Sequence, residues 1–195
     1  MFDYNGFDVF WDGKDSLRFR DNEFTVAVDP RSDSSPNFEA AIVLVTSTDT
    51  DDFDARKIQE VCGRGTCVVL PEELGDVQVP CPDVEFLSPG EIMDIYSVEI
   101  KAVETDHGLA YRFNMRGTSF FVSGDTSNIE DAIDLENSID LALFSASDKI
   151  DLDDIVRKAV RIKPDTLVPY LYSEESSLDG FKAELEDRNI SCHIE

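Results

Sequence analysis

The stretch "AIVLVTSTDTDDFD", Ala41 to Asp54, decides how this chain is read. Its first half, extended by Ala40, is a continuous apolar run bounded by polar residues, the pattern of a strand buried on both faces. Its second half is a burst of hydroxyls and carboxylates in which Asp49, Asp51, Asp52 and Asp54 fall within six residues. Carboxylates this close raise one another's pKa unless solvent or a cation separates them. The cluster therefore fans out on an exposed loop or surrounds a metal. An EF-hand loop starting at Asp49 fails, because Phe53 stands at its fifth position and Asp54 where the loop requires glycine. A phosphotransferase-type D-x-D at Asp49 and Asp51 carries little weight in so aspartate-rich a chain.

Upstream, "FDVFW", "SLRFR" and "FTVAVD" have the short, alternating, aromatic and β-branched character of antiparallel strands, and Arg31 to Pro36 reads as a surface loop. Downstream, a helix is predicted from Asp54 to Cys62 and a strand from Thr66 to Leu70. Further strands are predicted at Val84 to Leu87 and Ile92 to Glu104. A hairpin turns about Arg116–Gly117. The last third alternates strand and helix. Ile139 to Phe144 is a strand, and Leu152, Ile155, Val156, Ala159 and Val160 form one buried helical stripe that Asp151 caps and Pro164 closes. Strand Thr166 to Tyr170, helix Leu178 to Asp187 and strand Ile190 to Ile194 follow. No sequence repeat or linker divides residues 1–195. This order predicts one domain containing two mixed sheets with helices on their outer faces, a four-layer arrangement.

Forty-two acidic residues against 17 basic ones give a formal net charge of −25. That excludes a nucleic-acid surface, which needs a Lys/Arg footprint, and opposes anionic membranes. The excess is spread along the whole chain, so self-repulsion destabilises the compact state unless salt screens it. A high-salt cytoplasm, and hence a halophilic source, is the expectation. No apolar run approaches a membrane span and the amino-terminal residues are acidic, so a soluble cytoplasmic protein is expected. Cys62 and Cys67 lack a second pair at zinc-ribbon spacing. The four cysteines are read as reduced, mostly buried thiols.

With these residues in place, the chain resembles the metallo-β-lactamase fold, in the branch of small metal-dependent hydrolases that includes the L-ascorbate-6-phosphate lactonases. There an apolar strand ends in T-H-x-H-x-D-H-F-D, and Val45 to Asp54 aligns on it without a gap. Thr46, Asp51, Phe53 and Asp54 match, while Ser47, Asp49 and Asp52 replace the three histidines. Trp11–Asp12–Gly13 and Ser16 resemble W-x-G-H-x-S, with Lys14 in place of histidine. "VDP" at Val28 to Pro30, "SPGE" at Ser88 to Glu91, "GDT" at Gly124 to Thr126 and "IKPDTLVPYLY" at Ile162 to Tyr172 follow in the family's order, with Leu171 where a histidine ligand would stand.

The resemblance implies a four-layer αββα sandwich. It places one metal site at Ser47, Asp49 and His107 and a second at Asp51, Asp52 and Leu171, with Asp125 bridging. Zinc prefers imidazole and thiolate, and a leucine binds no metal. The leading expectation is therefore a degenerate homologue of the metal-dependent hydrolases, without a cofactor, acting as a binding or interaction protein for a small molecule or a protein.

The alternative is a hydrolase of an ester, lactone or phosphoester that uses an oxygen-rich site of Asp49, Asp51, Asp52, His107 and Asp125. Such donors suit Mg²⁺, Mn²⁺ or Ca²⁺ better than zinc. Against both stand plainer readings: a solvated acidic loop, an Asp125 that accepts backbone N–H bonds, and a His107 exposed in a turn. Tyr170 and Tyr172 are core or rim aromatics, or in the hydrolase reading a hydrogen-bond donor to a bound anion. Pairing with an intact homologue, or self-association into an oligomer, is a third expectation. Serine-nucleophile and phosphate-loop patterns are absent.

Overall fold

Period-two alternation near the amino terminus is realised as a meander of β1 (Phe2–Tyr4), β2 (Phe7–Trp11), β3 (Leu17–Asp21) and β4 (Phe24–Val28). The computed structural model describes residues 1–12, 16–22, 24–31, 38–49, 53–75, 77–124, 139–147, 151–170 and 178–194. Contacts divide them into two compact units, Met1–Ser88 and Pro89–Glu195, each holding one seven-stranded sheet. This is the mixed α/β class expected, with two large sheets and few helices.

In the first unit the meander hands over to parallel strands. They are β5 (Ala40–Leu44), β6 (Cys62–Pro71) and β7 (Asp83–Leu87). Helix α1 (Ala55–Val61) crosses between β5 and β6. Asp54 caps it by accepting from Lys57 N, and Ile58 and Val61 pack into a cluster with Val43, Val68 and Leu70 of the sheet. The crossover from β6 to β7 holds only a 3₁₀ turn, Glu72–Leu74, followed by a strap without regular structure.

The second unit repeats this plan, although no sequence repeat signals it. An antiparallel run of β8 (Ile92–Ile95), β9 (Val98–Thr105), β10 (Gly108–Met115) and β11 (Thr118–Val122) passes to parallel β12 (Leu141–Ser145), β13 (Thr166–Tyr170) and β14 (Ser191–Cys192). Helices α2 (Leu152–Ile162) and α3 (Leu178–Glu186) make the last two crossovers. Ile155, Ala159, Phe181 and Leu185 cover the face carrying Phe121, Phe144 and Leu167. Asp151 caps α2 as expected, and Lys163 turns left-handed before Pro164.

Three expectations are corrected. Ile92 to Glu104 is not one strand: Tyr96 and Ser97 both adopt positive φ, 52° and 66°, and make a tight turn without glycine or asparagine to announce it. Val160 is 37% exposed and lies off the buried stripe. Cys62 and Cys81 form a disulfide rather than reduced thiols, because the β6–β7 crossover brings their Cα atoms to 5.9 Å. Cys67 and Cys192 are free and buried, which pushes both thiols up to about 11.

Since the bridge closes a 19-residue separation, Cys81→Ser is expected to cost about 2–3 kcal/mol, read by chemical denaturation in molar KCl. Among the described residues no helix is long and apolar enough to cross a membrane.

Candidate functional site

In open sheets, ligands approach the carboxyl ends of parallel strands. In the first unit, β4 and β5 pair as far as Val28 and Leu44, and Asp29 N donates to Leu44 O at 3.0 Å. Asp29 then adopts a φ of 46° and turns its carboxylate onto Thr46. Thr46 N donates to Oδ1 at 2.8 Å and Thr46 Oγ1 to Oδ2 at 2.6 Å. Ser16 locks the same corner, donating through Oγ to Asp29 O at 2.7 Å and accepting from Arg31 N at 3.0 Å. This clamp fixes the point from which Ser47 to Asp54 departs.

The second unit uses the same clamp at the equivalent register. Val122 pairs with Leu143, and Ser145 N donates to Ser123 Oγ at 3.0 Å. Ser123 Oγ donates in turn to Gly124 O at 2.8 Å, which also accepts from the Tyr170 hydroxyl at 3.2 Å. Gly124 has a φ of 65°, where a Cβ is strained. The backbone leading to Asp125 is thus gripped from two sides.

Several site candidates lie among these groups. Ser47 is half-buried and accepts from Asp49 N at 3.0 Å, and Asp49 is exposed. Asp54 serves as the helix cap. His107 is exposed in the β9–β10 turn, where its N donates to Thr105 Oγ1 at 3.4 Å. Tyr111 pairs with Val122 in the register of β10 and β11, so that turn shares the sheet end with Gly124. Tyr170 is 2% exposed, its hydroxyl engaged with Gly124 rather than presented on a rim. Asp51, Asp52, Asp125, Leu171 and Tyr172 lie outside the described residues.

Asp29 and Ser16 stand in family-like motifs to which the sequence attaches no role. A strand-end aspartate before proline was the available signal for the clamp.

The zinc fit is poor on donor chemistry. The strand end after β5 offers a hydroxyl at Ser47 and a carboxylate at Asp49, where zinc favours imidazole and thiolate. Among the described residues no group of three or more His, Cys, Asp or Glu side chains converges as a metal site.

Beside the clamp, Asp12 N donates to Ser16 O at 2.8 Å. The Arg18 guanidinium lies 4.0 Å from the Phe10 ring centroid and 4.2 Å from that of Phe38. Its Nη2 donates to Asp12 Oδ1 at 2.9 Å, and its Nε stands 2.8 Å from Oδ2 in ion-pair contact off the hydrogen-bond axis. The two side chains are only 14% and 13% exposed.

Burial raises the Asp12 pKa above its ordinary 3.8, outweighing the lowering by Arg18. A raised carboxyl makes the folded state hold the extra proton, so its contribution is fully present below 3.8 and is lost as pH climbs through the folded pKa. Asp12→Asn should therefore gain stability relative to wild type as pH rises above 3.8 and through the raised folded pKa, measured by thermal unfolding in molar KCl. A relative loss would show that Arg18 pairing dominates.

A family profile described as "Beta-lactamase superfamily domain" matches residues 8–170. A candidate metal-dependent hydrolase from Parabacteroides distasonis superposes with a TM-score of 0.83 at 23% identity, covering 96% of this chain and 92% of its own. Igni18, a metallo hydrolase from Ignicoccus hospitalis, superposes at 0.78 with 14% identity, covering 97% and 94%. Zn²⁺-bound PqqB from Methylobacterium extorquens gives 0.59 at 11%, covering 92% and 85%. At these identities the superpositions carry the fold alone. No curated protein sequence matches this chain.

Proposed function

This chain belongs to the metallo-β-lactamase superfamily, and from that premise we propose that it is a degenerate, non-catalytic member, one domain over residues 1–195, that binds a small molecule or a protein. A zinc hydrolase of this fold works by lowering the pKa of bound water to about 7 and polarising the substrate oxygen. The observation that carries the proposal is the strand end after β5. A rigid clamp of Asp29 and Thr46 presents it, yet it delivers Ser47 and Asp49 where the resembling lactonase branch has histidines. The scaffold is kept and the imidazoles are gone. The even acidic charge supports a working environment of high cytoplasmic salt, and so a halophilic source.

The same oxygen donors favour a second reading, in which Asp49, Asp51, Asp52, His107 and Asp125 hold Mg²⁺, Mn²⁺ or Ca²⁺. Assays on ester, lactone and phosphodiester substrates with each cation separate the two. Absence of turnover with every cation supports the binding role. Cation-dependent turnover that Asp125→Ala abolishes overturns it.

A further inference from the structure

The repeated plan of the two units exposes a difference between them. Between β13 and β14 the second unit packs α3, burying Leu178, Phe181 and Leu185. At the equivalent place the first unit has only the 3₁₀ turn and the strap that follows, tied back to the end of α1 by the Cys62–Cys81 disulfide. A groove of about 880 Å³ remains where a helix would lie, within the range of small-molecule clefts. Val79 and Val84 line its apolar part, Phe86, 39% exposed, stands at one side, and Gln59, Gln78 and Arg56 supply the polar groups.

The described lining of the groove differs in composition from the chain as a whole. More than one residue in five of the chain is acidic, yet none of the described lining residues is Asp or Glu. Asp76 lies outside the described residues. Arg18, Arg20, Arg112, Arg157 and Arg188 each hold a carboxylate. The Arg56 guanidinium enters no ion pair among the described residues. Among the described residues no carboxylate matches its charge, which lies beside an apolar surface.

We propose that this groove binds an apolar monocarboxylate, whose carboxylate pairs with Arg56 and whose hydrocarbon part covers Val79, Val84 and Phe86. An anion is otherwise repelled by a protein of net charge −25, and at molar salt that repulsion shrinks to a range of about 3 Å, leaving the local Arg56 contact to decide. The two glutamine amides can donate further hydrogen bonds to the same carboxylate.

The test uses potassium octanoate as the probe, with 1-octanol as its uncharged counterpart, titrated into the full chain in molar KCl by calorimetry and amide NMR. Octanoate is expected to saturate one site, with shifts centred on residues 55–59 and 77–86. Arg56→Gln, which changes an exposed side chain and should leave thermal unfolding unaltered, should weaken octanoate about tenfold while leaving octanol unchanged. The proposal fails if octanoate shows no saturable binding up to about 10 mM, if the shifts centre elsewhere, or if Arg56→Gln leaves octanoate binding intact.

Discussion

Lowering KCl from molar to low-millimolar concentration is expected to unfold the purified protein. Twenty-five uncompensated negative charges are carried by 195 residues and spread over the whole sequence, so folding gathers them on one small surface. Molar salt confines each charge to about 3 Å, whereas at 0.01 M its field reaches about 30 Å and embraces most of its neighbours. The resulting change in self-repulsion is on the order of 10 kcal/mol, comparable with the ~5–15 kcal/mol of a typical domain's total stability. Seven ion pairs among the described residues, including Arg20 with Asp8 and Arg188 with Glu184, relieve it locally, and most are exposed enough to contribute little. Circular dichroism across a KCl series reads the effect. A protein equally folded at both ends of the series would remove the halophilic reading.

The second large effect is expected at the strand-end clamp. Asp29→Ala removes the acceptor for both Thr46 N and Thr46 Oγ1, and Thr46 is only 5% exposed. Hydrogen bonds to a charged acceptor contribute about 1.5–3 kcal/mol each, and the orphaned donors have no solvent to turn to. Alanine also tolerates a φ of 46° less well than aspartate, which visits the left-handed region more readily. Together the loss is expected to be about 4 kcal/mol, measured by denaturant unfolding in molar KCl. Asp29→Asn, which keeps one acceptor oxygen, should recover part of it. A loss below about 1 kcal/mol for Asp29→Ala would show that the clamp does not hold the strand end.

Much of the fold was legible because local chemistry and tertiary demand agree. The run at Ala40 became the buried strand β5, Asp54 and Asp151 became helix caps, and Arg116–Gly117 became a turn with φ values of 49° and 85°. Legibility failed where they disagree. Tyr96 and Ser97 turn the chain although neither favours positive φ, because pairing of β8 with β9 requires it. The β1 strand is too short to stand out from sequence and takes its form from β2. The Cys62–Cys81 pairing was hidden because a crossover, not sequence proximity, brings the two residues together.

The candidate site was read only in part. Ser47, Asp49, His107 and Tyr170 could each be placed at a strand end or turn from the pattern around them. What the pattern did not tell is how neighbouring polar groups are occupied. Asp29 grips Thr46, and Tyr170 grips Gly124, through bonds between residues 17 and 46 positions apart. Such contacts follow from sheet register, which a linear reading of aspartates and tyrosines does not contain.

The most direct test of the proposed loss of zinc chemistry is the metal content of the protein itself. The full chain, purified without chelator and incubated with excess Zn²⁺ in molar KCl, should carry zinc well below one equivalent after desalting, by mass spectrometry of the acid-digested sample. One zinc per chain, lost on Asp125→Ala, would contradict the account.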